Sequence, residues 1–483
     1  MKGITPPRRG ARGYFAAVLF SQLCALLRYT ILARILGPEQ LGLAATLIVT
    51  SAFFESLLDD GSDRFLIQDA EGDEAPVQGL VQGVWVTRGV FTAVALVVFA
   101  APVAAFYKAP QLAEGIRILA LWPLILGCLH MDMRRTQRRS DFRAEGLGLI
   151  TGEASSLVVT VLVAYFSHSF IAPAFGLIAR SLGMVLVSHL RAERPYRLGY
   201  ARAAAARLAR FVAPLIVNGW LLFMGSQTDR VLVAHQLGLA ELGRYSTVLL
   251  LILYPAASLT RYAAAVHLPR IAATRDDPAR GERASNILGG QTLLLALAMS
   301  TGFAIVAPTA IVILFGARFV QSAFIVGLIG ILQTTRFMRV WPTTMALGVG
   351  RSGIVLANNL ARLLSLPAAI AGLALIGGLA GVALGFILGE MVALSVAIVL
   401  VNRARGKGLL HDFDRVVLFM LASAAICGWT LSLTRPSGIG LVAMACASAL
   451  LVAWIVRLES TTIGEAFETA RALLRRGRSA ELA

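Results

Sequence analysis

Four arginines, Arg28, Arg88, Arg336 and Arg362, lie inside long apolar stretches of this sequence. An ionised side chain in hydrocarbon costs roughly 3 kcal/mol or more unless it faces a cavity or a partner, so each is a candidate for chemistry. Guanidinium keeps its charge when partly dried and offers a planar fork of donors that fits the oxygens of a phosphate or carboxylate. The polar groups Glu55, Asn218, Asp229, Asn358 and Glu390 also fall within such stretches and would supply cavity contacts, a gate or a coupling site. Arginines outnumber carboxylates at these depths, which points to an anionic ligand.

The elements that must position these residues follow from composition. The chain has 483 residues, 57% of them hydrophobic and 15% charged, with a mean hydropathy of +0.74. A soluble protein is about half apolar and a quarter charged. The surplus belongs in lipid, where only helices or closed barrels satisfy the backbone, and the apolar runs are too long for barrel strands. The expectation is an all-α polytopic membrane protein. Its spans fall near 14–36, 41–67, 79–106, 114–131, 146–167 and 170–190, then 211–236, 241–268, 286–314, 321–348, 352–375 and 377–402, with a last pair at 415–433 and 438–457. That makes about fourteen transmembrane helices. At the helical rise, Arg28 lies roughly 20 Å into its span, Arg88 about 12 Å and Arg362 about 15 Å. Arg336 and Arg339 fall in the inner half of theirs.

Lys and Arg number 44 against 27 Asp and Glu, a formal +17. The basic residues cluster in alternate short gaps: Arg134–Arg143, Arg191–Arg207, Arg270–Arg283, Arg403–Lys407 and the tail from Arg471 to Arg478. Such loops are held on the cytoplasmic side, which puts both termini there. No basic domain stands apart from these gaps, so nucleic acid is excluded as a partner. The acidic gap "QDAEGDEAPVQ" also falls on the basic side and is the exception to the pattern. Cys24, Cys128, Cys427 and Cys446 sit singly in apolar runs, and the six histidines are scattered, so neither a disulfide framework nor a metal site is expected. The run from Tyr14 to Ala33 is too long for a signal-peptide core and is read as a retained first span.

One punctuation occurs twice. "RYTILARILGPEQLG" runs from Arg28 to Gly42, and "DRVLVAHQLGLAELG" from Asp229 to Gly243. An offset of 201 maps Leu36-Gly37 onto Leu237-Gly238 and Leu41-Gly42 onto Leu242-Gly243. Six spans separate the copies, so both enter the membrane in one direction. This predicts two pseudo-symmetric six-helix lobes, 1–200 and 201–406, followed by a helix pair and basic tail over 407–483. The offset also sets Arg28 against Asp229, and an ion pair between them would close the outer side of a central cavity. Glycines 377, 381, 385 and 389 form a stripe suited to close helix packing. Arg34, at a helix end, is expected to snorkel to the interface.

At "YTILARILGPEQLG", "FFESLLDDGSDRFLIQ" and "TDRVLVAHQLGLAELGRYS" the sequence resembles the oligosaccharide-lipid flippases of bacterial polysaccharide biosynthesis. These belong to the multidrug/oligosaccharidyl-lipid/polysaccharide (MOP) exporter superfamily. Asp59, Asp60, Asp63 and Arg64 make the second stretch more charged than is usual in that family. The resemblance implies two lobes around a central cavity in the plasma (inner) membrane. It also implies alternating-access transfer of a polyprenyl-diphosphate-linked oligosaccharide to the outer leaflet, for O-antigen, capsule or exopolysaccharide synthesis. On that reading Arg28, Arg88, Arg336 and Arg362 hold the diphosphate, and the polar groups meet the sugar. Polysaccharide polymerase or assembly proteins would be further partners.

No nucleotide-binding loop, zinc-protease motif, nucleophile elbow or dinucleotide fingerprint occurs. Neither an enzyme nor a cofactor is expected. The alternatives are a lipid II flippase, a cation-coupled multidrug exporter of the same superfamily, a membrane polysaccharide polymerase or ligase, and a scaffold subunit without transport. A drug exporter would need a compact carboxylate site, and a polymerase a large external loop; the predicted external gaps are only a few residues long.

Overall fold

The computed structural model describes residues 11–58, 61–274, 277–432, 438–460, 462 and 464. The basic residues Lys2, Arg8 and Arg9, the acidic pair Asp59 and Asp60, Arg275, the side chain of Cys446 and the tail from Arg471 to Arg478 lie outside the described residues. The described secondary structure is helical throughout. Among the described residues eleven helices are long and apolar enough to cross a membrane, or up to twelve if the bent pair Leu112–Gly127 and Asp132–Arg138 is one span. Three places bear on the number expected from the sequence. Ala11–Leu58, counted once, is two helices meeting at the non-helical Gly37, the fourth predicted span falls in the pair bent by 55°, and of the last predicted span Ser448–Leu458 is a shorter apolar helix.

The chain forms two compact units, one made of residues through Thr247 with Ile313–Phe319, the other of Val248–Val312 with Val320 onward. The first unit opens with α1 (Ala11–Leu58), α2 (Ser62–Gln68), α3 (Ala75–Phe106), α4 (Leu112–Leu119), α5 (Leu121–Gly127) and α6 (Asp132–Arg138). It continues with α7 (Arg143–Ser167), α8 (Ala172–Leu190), α9 (Arg202–Leu237) and the start of α10 (Leu239–Ala272).

The duplicated hinge is visible here. Gly37 has φ 77° and ψ 176°, and Gly238 has φ 92° and ψ 169°. Both lie in backbone space that side chains disfavour, so the repeated Leu-Gly is a conformational requirement. The partners of the two hinges are reciprocal. A Cβ at Gly42 would overlap the Leu239 carbonyl, and one at Gly243 would overlap the Pro38 carbonyl. Since 38 and 239 are related by the same offset as 42 and 243, the contact has the form of a local two-fold. The Arg28–Asp229 pair does not form. Arg28 bonds to Glu153 and Ser156, while Asp229 accepts a 2.8 Å hydrogen bond from Tyr245 Oη. The offset fixes how far each residue lies from its hinge, but not the side of the helix on which it stands, and Arg28 stands toward α7.

The acidic gap between α2 and α3 is clamped by the basic gaps. Arg207 Nε lies 3.0 Å from Asp69 Oδ2, Arg139 Nη2 is 2.9 Å from Asp73 Oδ2, and Arg194 Nη1 donates to the Asp73 carbonyl at 2.7 Å. Arg138 donates to the carbonyls of Leu66, Ile67 and Asp69. The exception in the loop-charge pattern is thus a set of counter-ions, gathered at the end of the unit where the arginines are.

The second unit holds the rest of α10, most of α11 (Pro278–Leu314), α12 (Ala323–Met338), α13 (Val340–Gly348), α14 (Ser352–Ala361) and α15 (Ser365–Ile376). It ends with α16 (Gly378–Ala404), α17 (Phe413–Ser432) and α18 (Gly438–Leu458). Its core includes Leu288, Leu293, Met338, Trp341, Leu394 and Phe419. Three of the four stripe glycines pack closely, whereas Gly377, at φ 81°, faces open space. A Cβ at Gly381 would overlap Gly372, one at Gly385 Ala368, and one at Gly389 Ser365, so α15 and α16 meet backbone to backbone. The end of the α17–α18 pair is pinned by Arg415, whose Nε lies 2.6 Å from Glu459 Oε1 and whose guanidinium covers Trp341 at 5.4 Å.

Candidate anion-binding site

The second unit gathers three arginines on one carboxylate. Arg336 lies in the last turn of α12, Arg339 at the α12–α13 junction, Arg362 in a single 3₁₀ turn after α14, and Glu390 midway along α16. Gly389 lets α16 approach α15 closely, which brings the neighbouring Glu390 within reach of the segment carrying Arg362. Arg336 Nε lies 2.9 Å from Glu390 Oε1, Arg339 Nε 3.2 Å from Oε2, and Arg362 Nη2 3.1 Å from Oε1. Arg362 also brings Nε to 3.3 Å from Oε2, whereas Arg339 reaches Oε2 without the alignment of a hydrogen bond. The Glu390 side chain is fully buried, and the arginines keep between 7 and 13% of their side-chain surface.

Three guanidiniums share one carboxylate, so these four side chains together carry a net charge of two positive. Excess buried positive charge is expensive, and more so in a membrane, so the arrangement is suited to an anion. Two amides nearby in sequence are also unfinished. Asn358, one turn before Arg362, is 1% exposed. Among the described residues neither polar atom of its side chain has a hydrogen-bond partner, and Gln333 Nε2, one turn before Arg336, has none either. Such orphaned buried donors are ones that a polar ligand would satisfy.

The first unit holds a smaller cluster. Arg28 Nη1 donates to Ser156 Oγ at 2.7 Å and lies 3.2 Å from Glu153 Oε2, while Arg180 Nε is 2.8 Å from Glu153 Oε1. Arg88 stacks on Trp85 at 4.3 Å and lines a narrow cleft with Glu55 and Trp122. Asn218 is half-buried in α9. Arg34 does not snorkel freely, because its Nε donates to the Leu314 carbonyl at 2.9 Å and its Nη2 to that of Ile313. Cation there suits the carbonyl end of α11.

Of the residues singled out from the sequence, Arg336, Arg362 and Glu390 come together, and Arg339 joins them. Arg28 stands in the cluster of its own unit, and Arg88 and Glu55 share the cleft. Glu153 and Arg180 were missed. A census of every ionisable residue in the fifth and sixth predicted spans would have found both.

A profile of the polysaccharide biosynthesis protein family matches residues 31–324. The chain belongs to that family. The succinoglycan biosynthesis transport protein ExoT of Rhizobium meliloti is 25% identical over 62% of this chain and 61% of its own. The lipopolysaccharide biosynthesis protein WzxC of Escherichia coli is 24% identical over 52% of this chain and 51% of its own. The chain thus spans between half and three-fifths of the length of these relatives. Its fold is that of the MOP superfamily. The lipid II flippase MurJ in an inward closed conformation superposes with a TM-score of 0.69 at 12% identity, covering 92% of this chain and 98% of that one. An inward-facing multidrug resistance MATE family transporter of the MOP superfamily gives 0.65 at 14%, covering 81% and 98%. None of these names is an enzyme's.

Proposed function

We propose that this polysaccharide biosynthesis protein is a flippase that carries a polyprenyl-diphosphate-linked oligosaccharide from the inner to the outer leaflet of the plasma membrane. The observation that carries the reading is the convergence of three nearly buried guanidiniums on the single carboxylate of Glu390. A diphosphate esterified at both ends bears two negative charges, and Arg336, Arg339 and Arg362 present forks of donors suited to its oxygens. Asn358 and Gln333 would bind the first sugar or the bridging oxygens. Arg28, with Glu153 and Arg180, and Arg88 over Trp85 would be stations for the same anion in the first unit. Asn218 and Asp229 remain candidates for cavity or gate, and Glu55 for a counter-charge to Arg88.

We propose further that transfer proceeds by alternating access between lobes 1–200 and 201–406, with the helix pair of 407–483 completing fourteen spans. Both termini are then cytoplasmic, and polymerase or assembly proteins take the cargo on. The reciprocal Gly42–Leu239 and Gly243–Pro38 contacts supply a seam that can close the end away from the basic loops. A cationic drug would be repelled by the Glu390 cluster, which disfavours multidrug export.

The test is a deletion strain analysed for lipid-linked intermediates. Polyprenyl-diphosphate oligosaccharide should accumulate where an external glycosidase cannot reach it, and complementation should clear it. Intermediates that stay accessible, with hypersensitivity to cationic drugs instead, would discard this cargo.

A further inference from the structure

The loop end of the second unit contains a cavity of about 320 Å³ that the flipping mechanism does not use. Its walls come from the end of α10, the first turns of α11, the turn after α13 and the end of α16. Arg405 is fifteen residues beyond Glu390 on α16, which places this cavity about 22 Å along the helix from the anion site above. Among the described residues three cations line it, Arg351, Arg405 and Lys407, with a single carboxylate, Glu282.

That carboxylate is oversubscribed. Arg405 Nη2 lies 2.5 Å from Glu282 Oε2, Lys407 pairs with the same oxygen, and His411 Nε2 is 3.2 Å from Oε1. Arg405 also donates to Ser285 Oγ at 3.0 Å. Among the described residues no carboxylate lies within ion-pairing distance of Arg351, which is exposed. Burial depresses the pKa of Arg405 and of Lys407, against the opposing pull of Asp412, so both cations are poorly solvated where they stand. The volume equals that of roughly ten waters, room for a phosphate group and part of its hydration. The remaining wall is apolar, with Ile271, Met345 and Val349. A basic pocket with an apolar wall, at the ends of membrane-crossing helices, matches the level and the chemistry of an anionic lipid headgroup.

We infer that this cavity binds a phosphate group, with Arg351 and Lys407 as its principal ligands and Arg405 behind them. The group comes either from an anionic phospholipid headgroup or from free phosphate, and the site stands whether or not the cargo proposed above is right.

The test uses the purified full chain in detergent, followed by thermal unfolding. The additives are phosphatidylglycerol, phosphatidylcholine and inorganic phosphate at matched ionic strength. Phosphatidylglycerol should raise Tm saturably and phosphatidylcholine should not. Arg351→Gln and Lys407→Gln should each raise the half-saturating concentration roughly fivefold, since a surface cation contributes about 1 kcal/mol to such binding. Arg351→Lys should keep most of the response. Arg351 is exposed, so its replacement leaves the fold intact and the comparison interpretable. An Arg351-dependent response to inorganic phosphate alone would assign the site to a soluble anion. Variants that titrate like the wild type, or equal responses to both lipids, would overturn the site.

Discussion

Glu153 in α7 and Glu390 in α16 are both carboxylates in membrane-crossing helices held by arginine, yet their surroundings differ in charge and in burial. Glu153 serves two guanidiniums that keep 22 and 34% of their side-chain surface, and Ser156 completes the shell of Arg28. Glu390 serves three that are nearly sealed. The first cluster has one more guanidinium than carboxylate, with partial exposure to screen it; the second has two more, nearly sealed. A purely structural ion pair has no reason to be left with excess charge, because each unpaired buried cation lowers stability. The contrast supports the proposal that the Glu390 cluster is the principal anion site, with the Glu153 cluster a lesser station that also ties α1 to α7 and α8.

The comparison is most sharply broken at its centres. Glu390→Gln leaves three guanidiniums without an anion and should destabilise the chain by about 3–5 kcal/mol, read as a lower Tm and poor folded yield. Glu153→Gln should lose less than half of that, and an equal loss in both would erase the distinction. Next in size, Arg362→Gln should keep the fold, because Glu390 retains two cations. It should reduce clearance of lipid-linked oligosaccharide by about a hundredfold, on the scale of about 1.5–3 kcal/mol for a charged hydrogen bond. Arg28→Gln should cost tenfold or less in the same assay, roughly one charged hydrogen bond at the lower limit. Gly243→Val should cost about 1–3 kcal/mol by overpacking against Pro38. Gly42→Val should match it within error, because the contact is reciprocal, and a one-sided effect would refute the local two-fold.

The smallest effect expected is that of pH on the acidic clamp. Hydrogen bonding to Arg139 holds the Asp73 carboxyl below its ordinary 3.8, against some burial. Burial raises Asp69, but Arg207, the Glu71 amide and Arg138 outweigh it, and the net direction is also down. A carboxylate with a depressed folded pKa stabilises fully above its unfolded value and loses that contribution as pH falls through the folded one. Hydrogen exchange across residues 69–74 should therefore be flat from pH 8 to 5, once corrected for intrinsic rates, and accelerate only below about pH 4. Loosening near pH 6 would implicate a histidine instead.

How much was legible follows the kind of information each feature needs. The helical class and most span positions are linear properties, and composition and hydropathy carried them. The hinge glycines were legible because two copies of one backbone requirement leave two copies of one dipeptide. Arg336, Arg362 and Glu390 were legible as costly, since any charge at depth is. Their meeting was not, because Arg336 and Glu390 are 54 residues apart and contact depends on helix azimuth. The same limit undid the Arg28–Asp229 pair, where the offset gave matching distances from the hinge and Glu153 was the nearer face. The acidic gap looked like an error in the loop pattern until its partners on two other gaps were visible.

By itself, then, the sequence determined that the chain lives in a membrane as helices, where those helices turn, and that arginines stand within them at a price that only an anion or a partner relieves. The tertiary structure decided which arginines share a carboxylate, which amides are left open, and which loop charges cancel. These depend on rotation about helix axes and on backbone approach at Gly389, quantities that a one-dimensional pattern with a period of 3.6 does not encode between separate helices.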